Sequence, residues 1–167
     1  VILTLNVRYW TLDELKKEKD KVVVLKGYNK DGEVFVHNGI LISPDGKVLT
    51  TFTAIDYLQR AEVYIGKQKY EVEKVIGYDT SNDVAILKLK NAQNLPYAKV
   101  GDSTKIKLGD KVIVINSSNI YSSVFISEYD KDNKLFILNG ETIKKDETGM
   151  AVFNFRGEVV GIGFTGY

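Results

Sequence analysis

The sequence has no cysteine and only one histidine, His37, among its 167 residues. The lack of cysteine excludes a thiol nucleophile, disulfide bonds and cysteine-based zinc sites. A single histidine argues against a histidine-based metal site, because such sites draw on several ligands. The stretch 161–166 matches the dinucleotide pattern G-x-G-x-x-G by letter, but no helix is expected to follow it. We therefore expect neither a metal nor a cofactor.

Excess charge of one sign and long apolar runs are also missing. The chain has 23 Lys and Arg against 22 Asp and Glu, a net charge of +1, so we expect no nucleic acid partner. No apolar run reaches the roughly 18–20 residues of a transmembrane helix. The sequence starts at Val1 without a signal peptide. We expect a piece of a longer polypeptide, with any membrane anchor or neighbouring domain outside it.

Short strand patterns separated by turns dominate what is present. After an extended arm at 1–10, residues Thr11 to Glu14 have the Thr-x-x-Glu form of a helix capping box, which predicts a short helix to about Lys19. Turn signals such as Pro44-Asp45-Gly46 then punctuate the chain. Strands are predicted at 22–28, 33–42, 48–53, 62–65, 69–79, 84–90, 111–116, 122–129, 134–138, 151–154 and 159–164. This pattern predicts an all-β barrel or sandwich.

Four segments, taken in order along the chain, carry a resemblance to a known family. They are residues 39–49 (GILISPDGKVL), 82–89 (NDVAILKL), 101–115 (GDSTKIKLGDKVIVI) and 148–163 (TGMAVFNFRGEVVGIG). Together they resemble the HtrA/DegP family of bacterial trypsin-like serine proteases. The resemblance implies a trypsin-like double six-stranded β-barrel with a short N-terminal helix and a cleft between the barrels. We expect the arm, helix and first barrel in 1–97 and the second barrel in 98–167.

The resemblance also implies where a catalytic triad would lie. The base position falls on Thr53, the aspartate on Asp83 and the nucleophile on Thr148. A threonine hydroxyl cannot accept a proton near neutral pH, so general-base assistance is lost. Asp83 has no histidine to orient, and a turn or strand-entry role is its alternative.

The segment around the nucleophile position departs from the family as well. Its motif Gly-Asn-Ser-Gly-Gly-Pro aligns with residues 146–151, so Asp146 replaces the first glycine of the oxyanion hole, followed by Glu147 and, after the nucleophile position, Gly149. A Cβ disfavours that turn, and a carboxylate repels developing negative charge. The hairpin at 127–135 is shorter than the regulatory loops of working family members. We therefore predict a pseudoprotease that is not an enzyme.

One alternative to this prediction is a weak or unconventional serine/threonine-type hydrolase that uses Thr148, with Lys145 or a partner supplying the base. His37 lies one hairpin upstream of the base position, and we expect it to be a strand residue. Most of the tyrosines are expected to pack in the core or in cross-strand pairs, because sheets favour aromatic residues. Tyr121 and Tyr129, which flank a strand of the second barrel, are the candidates for stacking on a ligand.

The preferred hypothesis is a binding, sensing or scaffolding module of a larger extracytoplasmic protein. Its expected partners are a neighbouring domain of the same polypeptide and a protein, peptide or extracellular polymer ligand. By analogy, and from the Lys-, Asn- and Tyr-rich composition, one expected host is an anti-sigma factor ectodomain. A purely structural spacer that packs against a neighbouring domain is a further hypothesis.

Overall fold

The computed structural model describes residues 8–145 and 147–165, and the structural statements below concern these residues. The regular elements are helix α1 (Leu12–Lys16), two 3₁₀ segments (Lys17–Lys21 and Ser103–Lys105) and twelve strands: β1 Val22–Tyr28, β2 Val34–Leu41, β3 Lys47–Thr50, β4 Arg60–Ile65, β5 Gln68–Asp79, β6 Val84–Leu89, β7 Lys99–Val100, β8 Lys111–Ile115, β9 Ile120–Asp130, β10 Leu135–Gly140, β11 Thr148–Phe153 and β12 Glu158–Phe164.

The helix begins where the capping box predicts. The Thr11 hydroxyl accepts from the Glu14 amide at 3.2 Å, and the Glu14 carboxylate accepts from the Thr11 amide at 3.2 Å. These reciprocal bonds satisfy two backbone donors that a helix start leaves free. The α-helix ends at Lys16 and continues as a 3₁₀ turn, so the prediction of a helix to about Lys19 holds only in this mixed form. Leu15 is fully buried and anchors the helix.

The first six strands close into a barrel in the order β1-β2-β3-β6-β5-β4. Their alternating apolar residues point inward, as in β6, where Ala85, Leu87 and Leu89 are buried. Strand β3 ends at Thr50, three residues before the predicted end. The reason is a turn, in which the Phe52 carbonyl accepts from the amides of Ile55 and Asp56 at 3.0 Å.

The last six strands form a second sheet in the order β10-β9-β8-β11-β12-β7. Its buried side chains include Val112, Val114 and Val124. The two-residue strand β7 pairs in parallel with β12. It was not predicted because it is short and exposed. Strand β11 starts at Thr148 rather than at Ala151.

A single apolar cluster joins the two sets of strands. Val22 and Ile40 of the first set pack in one cluster with Ile115 and Phe153 of the second. Between the sets, the Ala98 amide donates to a first-barrel carbonyl, that of Leu41, at 2.8 Å. The predicted trypsin-like β-barrel fold with a short N-terminal helix is confirmed.

Candidate functional site

Thr53 and Asp83 are brought together at one end of the first barrel. Thr53 lies in the turn after β3, and Asp83 lies in the turn before β6. The Thr53 amide and hydroxyl both donate to Oδ1 of Asp83, at 2.7 and 2.8 Å. Asp83 has a positive φ of 52°, a conformation that aspartate tolerates better than most residues because its side chain can bond locally. The Asp83 carboxylate therefore holds the loop that carries Thr53.

Thr148 lies at the head of β11, where the second sheet meets the first barrel. The next residue, Gly149, has φ +82°, and a Cβ built on it would lie 1.8 Å from the Asn38 carbonyl oxygen of β2. The same carbonyl accepts from the Thr50 hydroxyl at 2.9 Å. Only glycine permits this contact, which places Thr148 beside the end of β3.

Asn38 also ties the two sets of strands together. Its side chain is buried, and its Oδ1 accepts from the Ser117 amide, just after β8, at 3.0 Å. A buried amide with satisfied acceptors fixes the local geometry, because leaving it unpaired would cost about 1–3 kcal/mol. The walls of the site thus come from β2, the β3 end, the β8 end and the β11 head.

The segment before Thr148 is bonded to the end of β12. The Glu147 amide donates to the Thr165 hydroxyl at 2.8 Å, and the Thr165 amide donates to the Glu147 carbonyl at 2.8 Å. The Glu147 amide therefore has a partner within the protein. The prediction for Asp146 lies outside the described residues.

The triad positions are linked unequally. Thr53 is hydrogen-bonded to Asp83, whereas in the part of the chain that the structure describes no hydrogen bond joins Thr148 to either residue. Thr148 reaches the same region through the packing of Gly149 on Asn38. Their catalytic roles, like those of Glu147 and Gly149, stay predictions.

Two aromatic pairs beside Thr53 were missed from the sequence. Phe52 and Tyr78 stack with ring centroids 4.9 Å apart, and Phe35 meets Tyr57 edge to face at 5.0 Å. Tyr78 is 65% exposed. The position of Phe52, immediately before Thr53, was the one available signal. These rings give the site an apolar, partly exposed wall.

The other sequence candidates lie in different environments. His37 is half-buried in β2, its Nε2 is buried without a hydrogen-bond partner, and burial lowers the pKa of its imidazole. Lys145 is exposed. Tyr121 is buried in the core of the second sheet, as expected for most of the tyrosines, and is therefore not accessible to stack on a ligand. Tyr129 is exposed, and its ring centroid lies 5.0 Å from that of Phe136.

Residues 8–145 and 147–165 contain neither a cluster of metal ligands nor a membrane-spanning helix. In these residues no three His, Cys, Asp or Glu side chains cluster as metal ligands would. None of the described helices has the length and apolarity to cross a bilayer.

Comparison with known proteins adds family relationships to this geometry. Residues 37–162 match the family described as trypsin-like peptidase domain. A probable periplasmic serine endoprotease, DegP-like, from Marinomonas sp. is 35% identical over 134 residues. Its namesakes from Pseudomonas savastanoi and Rickettsia prowazekii are 34% and 28% identical over 134 and 138 residues. Each match covers 75% of this chain but only 28%, 28% and 27% of the relative's own length.

These relatives overturn one prediction. The conclusion that the chain is not an enzyme is contradicted, because the relatives are named serine endoproteases. The inference gave too much weight to the missing imidazole at Thr53. Thr148 retains a hydroxyl at the nucleophile position, and threonine serves as a nucleophile in other hydrolases.

Proposed function

This chain belongs to the trypsin-like peptidase family and is an HtrA-type domain, and on that basis we propose that it is a threonine-type peptidase domain. It binds extended polypeptide in the cleft between the two sets of strands and cleaves it slowly through Thr148. Its relatives are named periplasmic, which supports an extracytoplasmic location. It acts within a larger protein, because it matches only 28% of the relatives' length.

The observation that carries this proposal is the Thr53–Asp83 hydrogen bond of 2.8 Å at the base position. The Thr148 oxygen attacks the peptide carbonyl carbon while its proton passes through one bridging water to the Thr53 hydroxyl, which in the same step gives its own proton to Asp83, so that the carboxylate is the base. The proton returns by the same path to the leaving amine, and water then hydrolyses the acyl-threonine ester. A carboxylate reached through a hydroxyl is a weaker base than imidazole, and a well-matched base contributes about 10²–10⁴ in rate. A slow enzyme is therefore expected.

An active-site probe tests the nucleophile directly. The purified chain is incubated with a fluorophosphonate over a range of pH, and the modified residue is identified by mass spectrometry. Labelling at Thr148, together with slow release of peptides from unfolded casein, is the expected result. Thr148→Ala should abolish both, and Thr148→Ser should increase labelling because serine is less hindered. The matched control is Thr80→Ala, at an exposed turn. Labelling unaffected by Thr148→Ala overturns the proposal.

A second candidate function is a binding, sensing or scaffolding module, with an anti-sigma factor as the host protein. It is favoured by the exposed aromatic wall of Phe52 and Tyr78 beside Thr53, because aromatic faces bind peptide and polymer ligands without any need for a base. In this case labelled peptides derived from an unfolded protein should bind the chain. Tyr78→Ala should weaken this binding several-fold. Thr148→Ala should leave it intact. Binding that requires Thr148 but not Tyr78 excludes this candidate.

A further inference from the structure

A groove of about 920 Å³ lies away from the candidate site. It is bordered by the segment 102–112 and by the turn between β11 and β12, which includes Phe155 and Arg156. Thr148 is at the opposite end of β11 from this turn. Five steps of about 3.3 Å lead from Thr148 to Phe153, so about 17 Å separates the two ends. The groove is therefore separate from the site around Thr53 and Thr148.

Basic side chains outnumber acidic ones around the groove. Its four basic residues are Lys105, Lys107, Lys111 and Arg156, and its two acidic residues are Asp102 and Asp110. Arg156 is paired with Glu158, with Nε 3.1 Å from the carboxylate. The three lysines are exposed, and within the described residues none of them forms an ion pair. Three exposed ammonium groups that form no such ion pair are therefore accessible to a ligand.

The two acidic residues are bonded to the segment that carries the lysines. Oδ1 of Asp102 accepts from the amide of Thr104 at 3.0 Å and from its hydroxyl. Oδ2 of Asp110 accepts from the Lys107 amide at 2.9 Å. These carboxylates hold the backbone in shape, and among the described residues neither of them forms an ion pair with the lysines, although the pKa of Asp102 is lowered by its hydrogen bonds from Thr104 and also by the Lys105 ammonium. The lysines are thus presented on a fixed segment, which lowers the entropy lost on binding.

The backbone at Ile106 determines how far apart the lysines lie. Ile106 is extended, with φ −66° and ψ 133°, and its side chain packs against the core of the second sheet. Lys105 and Lys107 on either side are both exposed, with their Cα atoms about 6 Å apart. Alternate residues of an extended peptide are about 6.6 Å apart and face the same side. Acidic side chains at alternate positions match this spacing.

Apolar surface in the same groove favours a peptide over other anions. Phe155, Ile106 and Val160 line it, and Tyr9 stands at its edge with 66% of its surface exposed. Tyr9 is held there because the neighbouring Trp10 amide donates to the Phe155 carbonyl at 2.7 Å. A peptide that alternates acidic and apolar residues satisfies both the lysines and this apolar lining, whereas phosphate backbones use only the charge.

We propose that this groove binds an extended acidic peptide segment, in which carboxylates at alternate positions pair with Lys105 and Lys107, a further carboxylate pairs with Lys111, and the intervening apolar side chains contact Phe155 and Tyr9. The site is independent of Thr53, Asp83 and Thr148. Its ligand is an acidic segment of another protein, recognised by charge pattern and not by cleavage.

The test uses fluorescence anisotropy with a labelled nonapeptide that alternates Glu with Val and Phe. The expected result is saturable binding at 50 mM salt that weakens at 300 mM, because exposed charge pairs are screened. The triple charge reversal Lys105→Glu, Lys107→Glu and Lys111→Glu should weaken binding about 10-fold or more. The matched control reverses three exposed lysines of the first barrel, Lys67, Lys74 and Lys90, and should change affinity less than about 3-fold.

Further binding measurements distinguish specific peptide recognition from a general charge effect and from binding of other anions. The same peptide with Gln in place of Glu should bind at least about 10-fold more weakly, and Tyr9→Ser should weaken binding several-fold without changing the circular dichroism spectrum. Equal losses in both triple variants overturn the proposal, since they show a general charge effect. Tighter binding of phosphatidylserine vesicles or of a single-stranded oligonucleotide than of the acidic peptide also overturns it.

Discussion

Oδ1 of Asp83 accepts two hydrogen bonds from Thr53, from its amide at 2.7 Å and from its hydroxyl at 2.8 Å. The two residues are 30 positions apart in the sequence. This relationship connects the turn after β3 with the turn before β6. It orients a hydroxyl where the HtrA-type resemblance places the base.

The first prediction concerns the stability contributed by this pair. Asp83→Ala removes both bonds and places a non-glycine residue without a local acceptor at φ +52°, so we expect a loss of about 1–2 kcal/mol. For a chain of this size that loss lowers Tm by roughly 2–8 °C. Thermal unfolding followed by circular dichroism measures it. Asp83→Gly, which tolerates the backbone angle, separates the contribution of the bonds. A Tm unchanged in both variants contradicts a structural role for the pair.

The second prediction concerns Gly149. A methyl group there collides with the Asn38 carbonyl, 1.8 Å away, at a backbone angle that disfavours side chains. Gly149→Ala should therefore destabilise the fold by more than about 3 kcal/mol, or prevent folding. Gly161→Ala is the control, because a Cβ at Gly161 meets nothing within 4 Å. Urea unfolding compares the two variants, and equal midpoints would show that the contact between β11 and β2 is not tight.

The third prediction concerns pH and follows from His37. Burial lowers the pKa of its imidazole in the folded state, so between the folded and unfolded pKa values the unfolded chain binds more protons. Stability should then fall as pH drops below about 6.5, the ordinary histidine pKa. His37→Gln should flatten the Tm profile between pH 7.5 and pH 5.5. If wild type and variant lose Tm in parallel over this range, the imidazole does not cause the loss.

The fourth prediction tests which groups limit catalysis. The combined substitutions Thr53→His, Thr148→Ser and Asp146→Gly restore the family's base, nucleophile and oxyanion glycine. A base contributes about 10²–10⁴ and one oxyanion donor about 10²–10³ in rate, so casein hydrolysis should rise at least about 10²-fold over wild type. The control keeps Thr53 and carries only the other two substitutions. If both variants remain at the wild-type rate, the backbone around the site, and not its side chains, is limiting.

Much of the fold could be predicted because its strands have a simple pattern. Strand β1 was predicted with the observed bounds, Val22–Tyr28, since buried residues recur along a short β-branched run. Strand β3 was extended too far because Thr51 and Phe52 continue a strand-like composition, whereas the chain turns there on backbone hydrogen bonds. Strand β7 was missed because two exposed residues carry no periodic signal.

The candidate site was located by family resemblance and not by local pattern. The sequence indicated that Asp83 lacks a histidine to orient, but it gave no sign that Thr53 itself would donate two bonds to that carboxylate. The pairing of Phe52 with Tyr78 was also hidden, because residues 26 positions apart meet only once β3, β5 and β6 have been brought into register. Long-range contacts of this kind depend on the closed barrel.

The apolar cluster shared by both halves has a consequence for how ligands are selected. Any hinge motion that widened the cleft would expose Ile40, Ile115 and Phe153, which are fully buried. Exposing three such side chains costs about 1.5–3 kcal/mol each, so the aperture is effectively constant. Under the proposed function, discrimination among peptide substrates then comes from the turn at Thr53, its aromatic neighbours and the head of β11. Substitutions in those loops can therefore accumulate without changes in the strands that pack on the shared apolar cluster.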